Sequence, residues 1–271
     1  MLTAPYCRYI LLSHGRTGST ILTRMLRDHS RIVDYQELFN VDFQAEFRRG
    51  SDRTQSLRYW LETLDQRKLR RRPILANLGT ASESQILDEF VWHNDYAEQI
   101  RAVGFKVLHY QMKVNGAFPK LSEQLQERLP GLRVVVLTRC NLLRQHLSHV
   151  MAHRVKQWHI SDSSQRRPRP PVRFTPQELV HAFEYVQQTE QELLELGRIA
   201  EDVLHVTYEQ LVETFDGHWR KLQRFLDVPE EPLPELRLVK IEHRTLREAI
   251  VNYDELKAHF HGTTWESHFD E

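Results

Sequence analysis

Leu11-Leu12-Ser13-His14-Gly15-Arg16-Thr17-Gly18-Ser19-Thr20-Ile21-Leu22 is the stretch whose reading decides the fold. The apolar run from Tyr9 to Leu12 reads as a buried strand, and Ile21, Leu22, Met25 and Leu26 recur at helical spacing. Between them lies a loop of small residues with two glycines, Gly15 and Gly18. Strand, glycine loop and helix in succession aim backbone N–H groups and the positive end of a helix dipole at one point. That geometry suits an anion, so a phosphate-bearing ligand is expected here.

Outward from this stretch, three more strands are predicted, over Ala102 to His109, Leu132 to Thr138 and Val203 to Tyr208. The middle one holds four consecutive apolar residues, Val134 to Leu137, as a strand buried on both faces of a parallel sheet does. Helices are predicted over Ser19 to Asp28, from Ser51 through Leu57, Trp60, Leu61 and Leu64, and around Leu142, Leu147 and Met151. Ser82 with Gln85, and Thr175 with Pro176 and Glu178, read as capping boxes. Ser122 is the expected N-cap of a short helix running to Leu129, and Leu211 to Phe225 holds another helical pattern. The mixed segment Val33 to Phe39 is expected to cross the top of the first strand. Alternating strands and helices predict an α/β fold, a three-layer, doubly wound, mostly parallel sheet with a P-loop-like nucleotide site at the carboxyl ends of the strands. A single domain over residues 1–271 is expected.

Bulk properties narrow the function classes. Lys plus Arg and Asp plus Glu both number 37, so the net charge is zero and no broad basic field points to nucleic acid. The only cysteines, Cys7 and Cys140, form neither a disulfide framework nor a CxxC metal or redox pair. No apolar run is long enough for a membrane span and no charged-then-apolar leader opens the chain, which predicts a cytoplasmic protein. One segment stands out: His159 to Phe174 has Arg166, Arg167, Arg169 and Arg173 against the single acid Asp162, plus three prolines. Its composition predicts a mobile loop or flap, either simply solvated or a lid that attracts an anionic acceptor.

The P-loop pattern G-x-x-x-x-G-K-[ST] almost fits Ser13 to Thr20, but Ser13 stands for the first glycine and Ser19 for the lysine. That lysine reaches the β- and γ-phosphates, so its loss argues against an ATPase or kinase. The cation has moved to Arg16. A G-x-G-x-x-G dinucleotide fingerprint is absent as well.

Ser13 to Thr20 resembles the 5′-phosphosulfate loop of sulfotransferases that use 3′-phosphoadenosine 5′-phosphosulfate (PAPS), in the carbohydrate-type and bacterial versions with arginine at the cationic position. Val134 to Arg139 followed by Ser148 is similar to the family's second signature, a strand ending in arginine and then a helix serine. Tyr208-Glu209-Gln210-Leu211 is similar to the strand-end Tyr-Glu-Asp-Leu. The three segments occur in the family's order across most of the chain. The resemblance implies that Gly15, Arg16, Thr17, Gly18, Ser19 and Thr20 bind the 5′ end of PAPS. It further implies that Arg139 and Ser148 bind the 3′-phosphate and that Tyr208 faces the adenine. The family's usual arginine-to-serine interval is eight, which would put the arginine at Cys140. Here it is nine, and Arg144 shares the candidacy.

Sulfuryl transfer is an in-line displacement. Cations and donors, with Arg16 foremost, must stabilise charge on the leaving bridge and equatorial oxygens, and a base must take the acceptor's proton. Two bases are candidates. Glu37 holds the position of a glutamate that bacterial and carbohydrate sulfotransferases use, and His109 follows Lys106-Val107-Leu108 where cytosolic relatives have Lys-Thr-His. The cytosolic Arg-Lys-Gly triplet that grips the 3′-phosphate is absent, and Arg244 is a possible substitute. The resemblance implies a sulfotransferase acting on a hydroxyl of a carbohydrate or small molecule, with no metal. A P-loop phosphotransferase using ATP and a non-catalytic nucleotide-binding module are the alternatives.

Overall fold

Side chains along β1 (Cys7–Ser13) alternate between two cores, with Ile10 and Leu12 entering one and Tyr9 and Leu11 the other. This computed structural model describes residues 6–40, 57, 59, 62–70, 80–93, 95–113, 120–158, 160, 163–234 and 244–270. β1 is the middle strand of a five-stranded sheet in the order β2-β3-β1-β4-β5. The others are β2 (Ile32–Asp34), β3 (Ala102–Leu108), β4 (Arg133–Thr138) and β5 (Asp202–Thr207), and every pairing is parallel. Val134 and Val136 join the first core while Val135 and Leu137 join the second, so β4 is buried on both faces as its apolar run requires.

α1 (Ser19–Asp28) follows β1 and packs Leu22, Met25 and Leu26 into the second core. β3 leads directly into the short α2 (His109–Lys113). After β4 come α3 (Leu142–Val155) and the long α4 (Pro176–Gly197). β5 is followed by α5 (Tyr208–Glu213), α6 (Phe215–Phe225) and, further on, α7 (Tyr253–Phe260). A third core joins Leu143, Leu147 and Met151 of α3 to Leu179 and Phe183 of α4 and to Phe260 and Phe269 of the C-terminal segment. No helix among the described residues is long and apolar enough to cross a membrane.

Both predicted capping boxes form, at Ser82 and Thr175. Several boundaries differ, each for a local reason. The sequence reading passes over β2, a three-residue edge strand paired only with β3 and too short to show a period. His109 belongs to α2 because the Gln111 side chain accepts from Leu108 N at 2.9 Å, closing a turn where the strand would continue. Tyr208 opens α5 because Thr207 and Gln210 form a reciprocal cap. The helix near Leu121 starts on Lys120 without a side-chain cap, not on Ser122; burial of Leu121 and Leu125 holds it. The pattern from Ser51 falls largely outside the described residues.

The arginine-rich segment buries Ile160, Val172 and Phe174. Val172 N donates to Ala249 O at 2.9 Å and Val172 O accepts from Val251 N at 2.7 Å, forming a parallel bridge to Ile250. The Asn252 side chain pairs with the Phe174 backbone, donating at 2.9 Å and accepting at 3.3 Å.

Candidate active site

The strands end level. Ser13 is in register with both Leu108 and Leu137, and Thr138 with Thr207. Their following residues therefore gather at one sheet edge, the location at which open α/β sheets bind ligands.

The loop after β1 is braced from three sides. Ser13 Oγ shares a short hydrogen bond with Thr17 Oγ1 and lies 3.0 Å from the Leu137 carbonyl, while Thr17 Oγ1 is also 3.0 Å from His14 O. The fully buried Thr17 hydroxyl is thus committed within the loop. From α3, Gln145 Nε2 is 2.9 Å from both Gly15 O and His14 Nδ1. Gly18 takes a left-handed φ of 84° as the N-cap of α1 and, lacking a side chain, leaves the first amides of that helix without the cap that Asn141 gives α3 or Thr207 gives α5. A Cβ on Gly18 would fall 2.7 Å from Tyr208 Cδ2, so the tyrosine ring lies directly against the loop.

Arg16 holds a left-handed φ of 69°, uncommon for a residue with a side chain. Its Nε donates to Ser148 Oγ at 3.0 Å and its Nη1 to the Trp158 carbonyl at 3.2 Å. Its own carbonyl accepts from Arg139 Nη1 at 3.1 Å. Burial, followed by the nearby Arg169 and Arg139, pulls the Arg16 guanidinium down to about 10, against an opposing contribution from Glu37, and it stays charged at neutral pH. Arg139 lies over the Tyr208 ring with its guanidinium carbon 4.3 Å from the centroid. Two carboxylates steady the turn after β4: Glu190 accepts from Arg139 N at 3.2 Å, and Glu209 accepts from Cys140 N and Asn141 N at 2.9 and 3.2 Å. Arg144 Nη1 donates to the Arg244 carbonyl at 2.9 Å.

Glu37 arrives from the β2 side. Its Oε1 is 2.6 Å from Lys106 Nζ, a lysine side chain only 1 % exposed, and its Oε2 accepts from Asn40 Nδ2 at 2.6 Å. Lys106 Nζ also reaches Ser19 Oγ and Thr20 Oγ1, both at 3.4 Å. A buried ammonium needs a counter-charge, and Glu37 supplies it beside the start of α1. His109 is 3 % exposed and its Nε2 is 2.7 Å from Glu192 Oε2 of α4. The structure therefore brings Gly15 to Thr20, Glu37, Arg139, Ser148 and Tyr208 to one place, with His109 buried alongside. Sequence reading missed Gln145, Asn40 and Glu190, whose only local mark was a polar type near an apolar helix face or strand end, and it quoted Glu209 within the Tyr208 to Leu211 segment without giving it a role.

Behind Glu37 a buried relay sets its backbone. Asp34 accepts from Tyr9 Oη at 2.6 Å and from Gln36 N at 2.7 Å, and Gln36 O accepts from Lys106 N at 2.7 Å. Burial raises the Asp34 carboxyl from 3.8 to about 6, and burial with the Glu209 charge raises Glu190 from 4.5 to about 7. Between about pH 4 and pH 7 the folded protein therefore holds protons that the unfolded chain has lost. Each group destabilises the fold as pH rises through that window, by about 3 kcal/mol. Asp34→Asn and Glu190→Gln together are expected to flatten the fall in urea stability between pH 4.5 and 7.5. An unchanged slope would place the titration elsewhere.

The chain is similar to known proteins in sequence profile and in fold. The model of the sulfotransferase family matches residues 10–232. The fold is similar to the sulfotransferase domain from the curacin biosynthetic pathway, with 18 % identity, a TM-score of 0.51 and coverage of 97 % of this chain and 89 % of that one. The sulfotransferase domain of the Synechococcus PCC 7002 olefin synthase gives 18 % identity and a TM-score of 0.47, over 98 % and 87 % of the two chains. A sulfotransferase from Alicyclobacillus acidocaldarius gives 13 % and 0.47, over 94 % and 91 %. No curated protein matches in sequence. The family match runs from β1 past α6 and takes in Gly15 to Thr20, Glu37, His109, Arg139, Ser148 and Tyr208, and the chain therefore belongs to the PAPS-dependent sulfotransferase family.

Proposed function

We propose that the loop Gly15 to Thr20 holds the 5′-phosphosulfate of PAPS, that Arg139 and Ser148 hold its 3′-phosphate, and that Tyr208 packs on its adenine. The observation that carries this reading is the convergence of Arg16, Arg139, Ser148 and Tyr208 on the uncapped start of α1. The charge, the donors and the Tyr208 ring against Gly18 fit a phosphorylated nucleoside. When bound, PAPS supplies an activated sulfuryl group at its 5′ end. Arg16 and the hydroxyls of Ser19 and Thr20 stabilise negative charge on the transferring and leaving oxygens. Lys106 sits 3.4 Å from both hydroxyls and fixes the carboxylate beside them.

Glu37 takes the acceptor's proton in this reading. Its carboxylate is 14 % exposed, lies beside α1 and adds to the field at Arg16, whereas His109 is more deeply enclosed and bonded to Glu192. The acceptor is a hydroxyl of a carbohydrate or another small molecule. Two exposed tyrosines support a ring-bearing acceptor. Tyr110 donates to Asn40 Oδ1 at 3.3 Å, next to Glu37, and Tyr185 meets His14 edge-on at 5.8 Å.

Glu37→Gln is expected to lower kcat by at least a hundredfold with the affinity for 3′-phosphoadenosine 5′-phosphate (PAP) unchanged, and His109→Ala by less than tenfold. A larger loss in His109→Ala would exchange the two roles. PAP, and not ATP with magnesium, is expected to raise the melting temperature; the opposite result would favour a phosphotransferase.

A further inference from the structure

Each oxygen of the Glu37 carboxylate takes a donor that traces back to one stretch, Lys106 to Gln111, at the end of β3 and the start of α2. Lys106 Nζ meets Oε1 at 2.6 Å. Oε2 is reached by a chain of side chains. Leu108 N donates to Gln111 Oε1 at 2.9 Å, and Gln111 Nε2 donates to Tyr110 Oη at 3.5 Å. Tyr110 Oη then donates to Asn40 Oδ1 at 3.3 Å, and Asn40 Nδ2 to Glu37 Oε2 at 2.6 Å. Asn40 is also tied to Glu37 through the backbone, its N–H donating to the Glu37 carbonyl at 2.9 Å. Gln111 and Asn40 are buried, while Tyr110 stands at the surface.

Every link in this chain has one direction. A backbone amide can only donate, so Gln111 turns its carbonyl to Leu108 and its NH2 to Tyr110. The phenol has a single proton. With its oxygen accepting from Gln111, that proton goes to Asn40, which presents its own NH2 to a carboxylate that can only accept. Reversing either amide would set two donors together at Leu108 or two acceptors together at Glu37, at a cost a buried network does not offset. A carboxylate has about four acceptor sites, so one donor on each oxygen fixes its plane and leaves it able to take a proton.

We propose that Asn40 and Tyr110 are positioning residues for the transfer: the Tyr110 hydroxyl fixes the Asn40 amide, and the Asn40 amide orients the Glu37 carboxylate toward the acceptor hydroxyl. The proposal rests on Glu37 being the base. Neither residue exchanges a proton with the acceptor; each acts through Glu37. An acceptor resting against the Tyr110 ring therefore meets a base that is already aligned.

The test is a set of double-mutant cycles on the full-length protein, with Asn40→Ala and Tyr110→Phe each made in the wild-type and Glu37→Gln backgrounds. Labelled PAPS is the donor, simple phenols and monosaccharides are the acceptors, and release of sulfate to water is followed in parallel. In the wild-type background Asn40→Ala is expected to lower kcat by about tenfold or more and Tyr110→Phe by about threefold, with KM and PAP affinity within about twofold. The double variant should be no slower than Asn40→Ala, because the two residues act in series. In the Glu37→Gln background each change is expected to cost less than about twofold, since no base is left to orient. A second readout needs no turnover. The Glu37 carboxylate band is isolated as the infrared difference between the parent and Glu37→Gln. Its titration midpoint is expected to move upward by about one pH unit in Asn40→Ala, because the lost donor favoured the charged form. Lys106 from β3 and Arg16 from the loop after β1 are among the charges acting on that carboxylate, and every variant keeps them. Equal losses from Asn40→Ala in both backgrounds, or an unmoved midpoint, overturn the proposal and make the two residues braces of their segment. Tyr110→Phe, a surface change that keeps the ring, carries the cycle where Asn40→Ala fails to fold. A Glu37→Gln protein within tenfold of the parent is a separate result: it removes Glu37 as the base, and the positioning role with it.

Discussion

Replacing Arg16 with glycine is expected to lower kcat/KM by at least about a hundredfold while the protein stays folded. Removing one preorganised donor from a site where charge develops in the transition state costs about 10²–10³ in rate, and Arg16 is the loop's own cation. Stability responds differently. Arg16 sits at φ 69°, and glycine relieves about 1 kcal/mol of left-handed strain. The side-chain bonds to Ser148 and the Trp158 carbonyl are lost, each worth about 1 kcal/mol. These effects offset in part and leave a net loss of about 1 kcal/mol, so the melting temperature should fall by about 4 °C or less. Arg16→Lys retains charge without the planar fork and should fall between the two activities. Steady-state kinetics, a thermal melt and PAP calorimetry on the three proteins decide the matter. Activity of the glycine variant within threefold of the parent would exclude Arg16 from transfer. A drop of more than about 10 °C would make it chiefly a brace.

Gly104→Ala should produce the largest loss of stability, about 3 kcal/mol or more. Gly104 pairs with Tyr9 across the β1–β3 ladder, and a Cβ there would lie 2.3 Å from Tyr9 O and 2.6 Å from Tyr9 Cγ. Neither atom can yield. Tyr9 is fully buried on the central strand, and its hydroxyl is bonded to Asp34. Pushing the strands apart would also disturb the Ser13 end of β1 and Lys106 on β3, which carry the loop and the partner of Glu37. The expected fall in melting temperature is on the order of 10 °C, with activity falling in parallel. Tyr9→Phe is the control: it keeps the ring and loses one hydrogen bond, about 1 kcal/mol. A Gly104→Ala protein as stable as Tyr9→Phe would show that the ladder can open at this point.

Both predictions depend on contacts between segments far apart in the chain, which marks how far local reading reaches. The Ser19–Asp28 helix, the capping boxes at Ser82 and Thr175 and the double burial of β4 were legible, because each depends on residues a few positions apart. Ends set by a competing side chain were not, as at Leu108 with Gln111 and at Thr207 with Gln210. β2 was invisible because three residues cannot display a period. In the site, the family resemblance named Glu37, Arg139, Ser148 and Tyr208 one by one, without their partners. Ser148 accepts from Arg16, 132 residues away, while Arg139 covers Tyr208.

What the sequence by itself determined is the class of fold and the strand, glycine loop and helix of its opening stretch, since strand period, helix period and glycine placement are local properties. Only the tertiary structure decided which charges meet. Lys106 neutralises Glu37 beside Ser19 and Thr20 because the sheet order sets β3 between β2 and β1. Arg16 and Arg169, far apart in the chain, donate to successive carbonyls of the turn after α3, Trp158 and Gln157. Electrostatic energy depends on distance in space, and strand order and register, not position along the chain, set those distances.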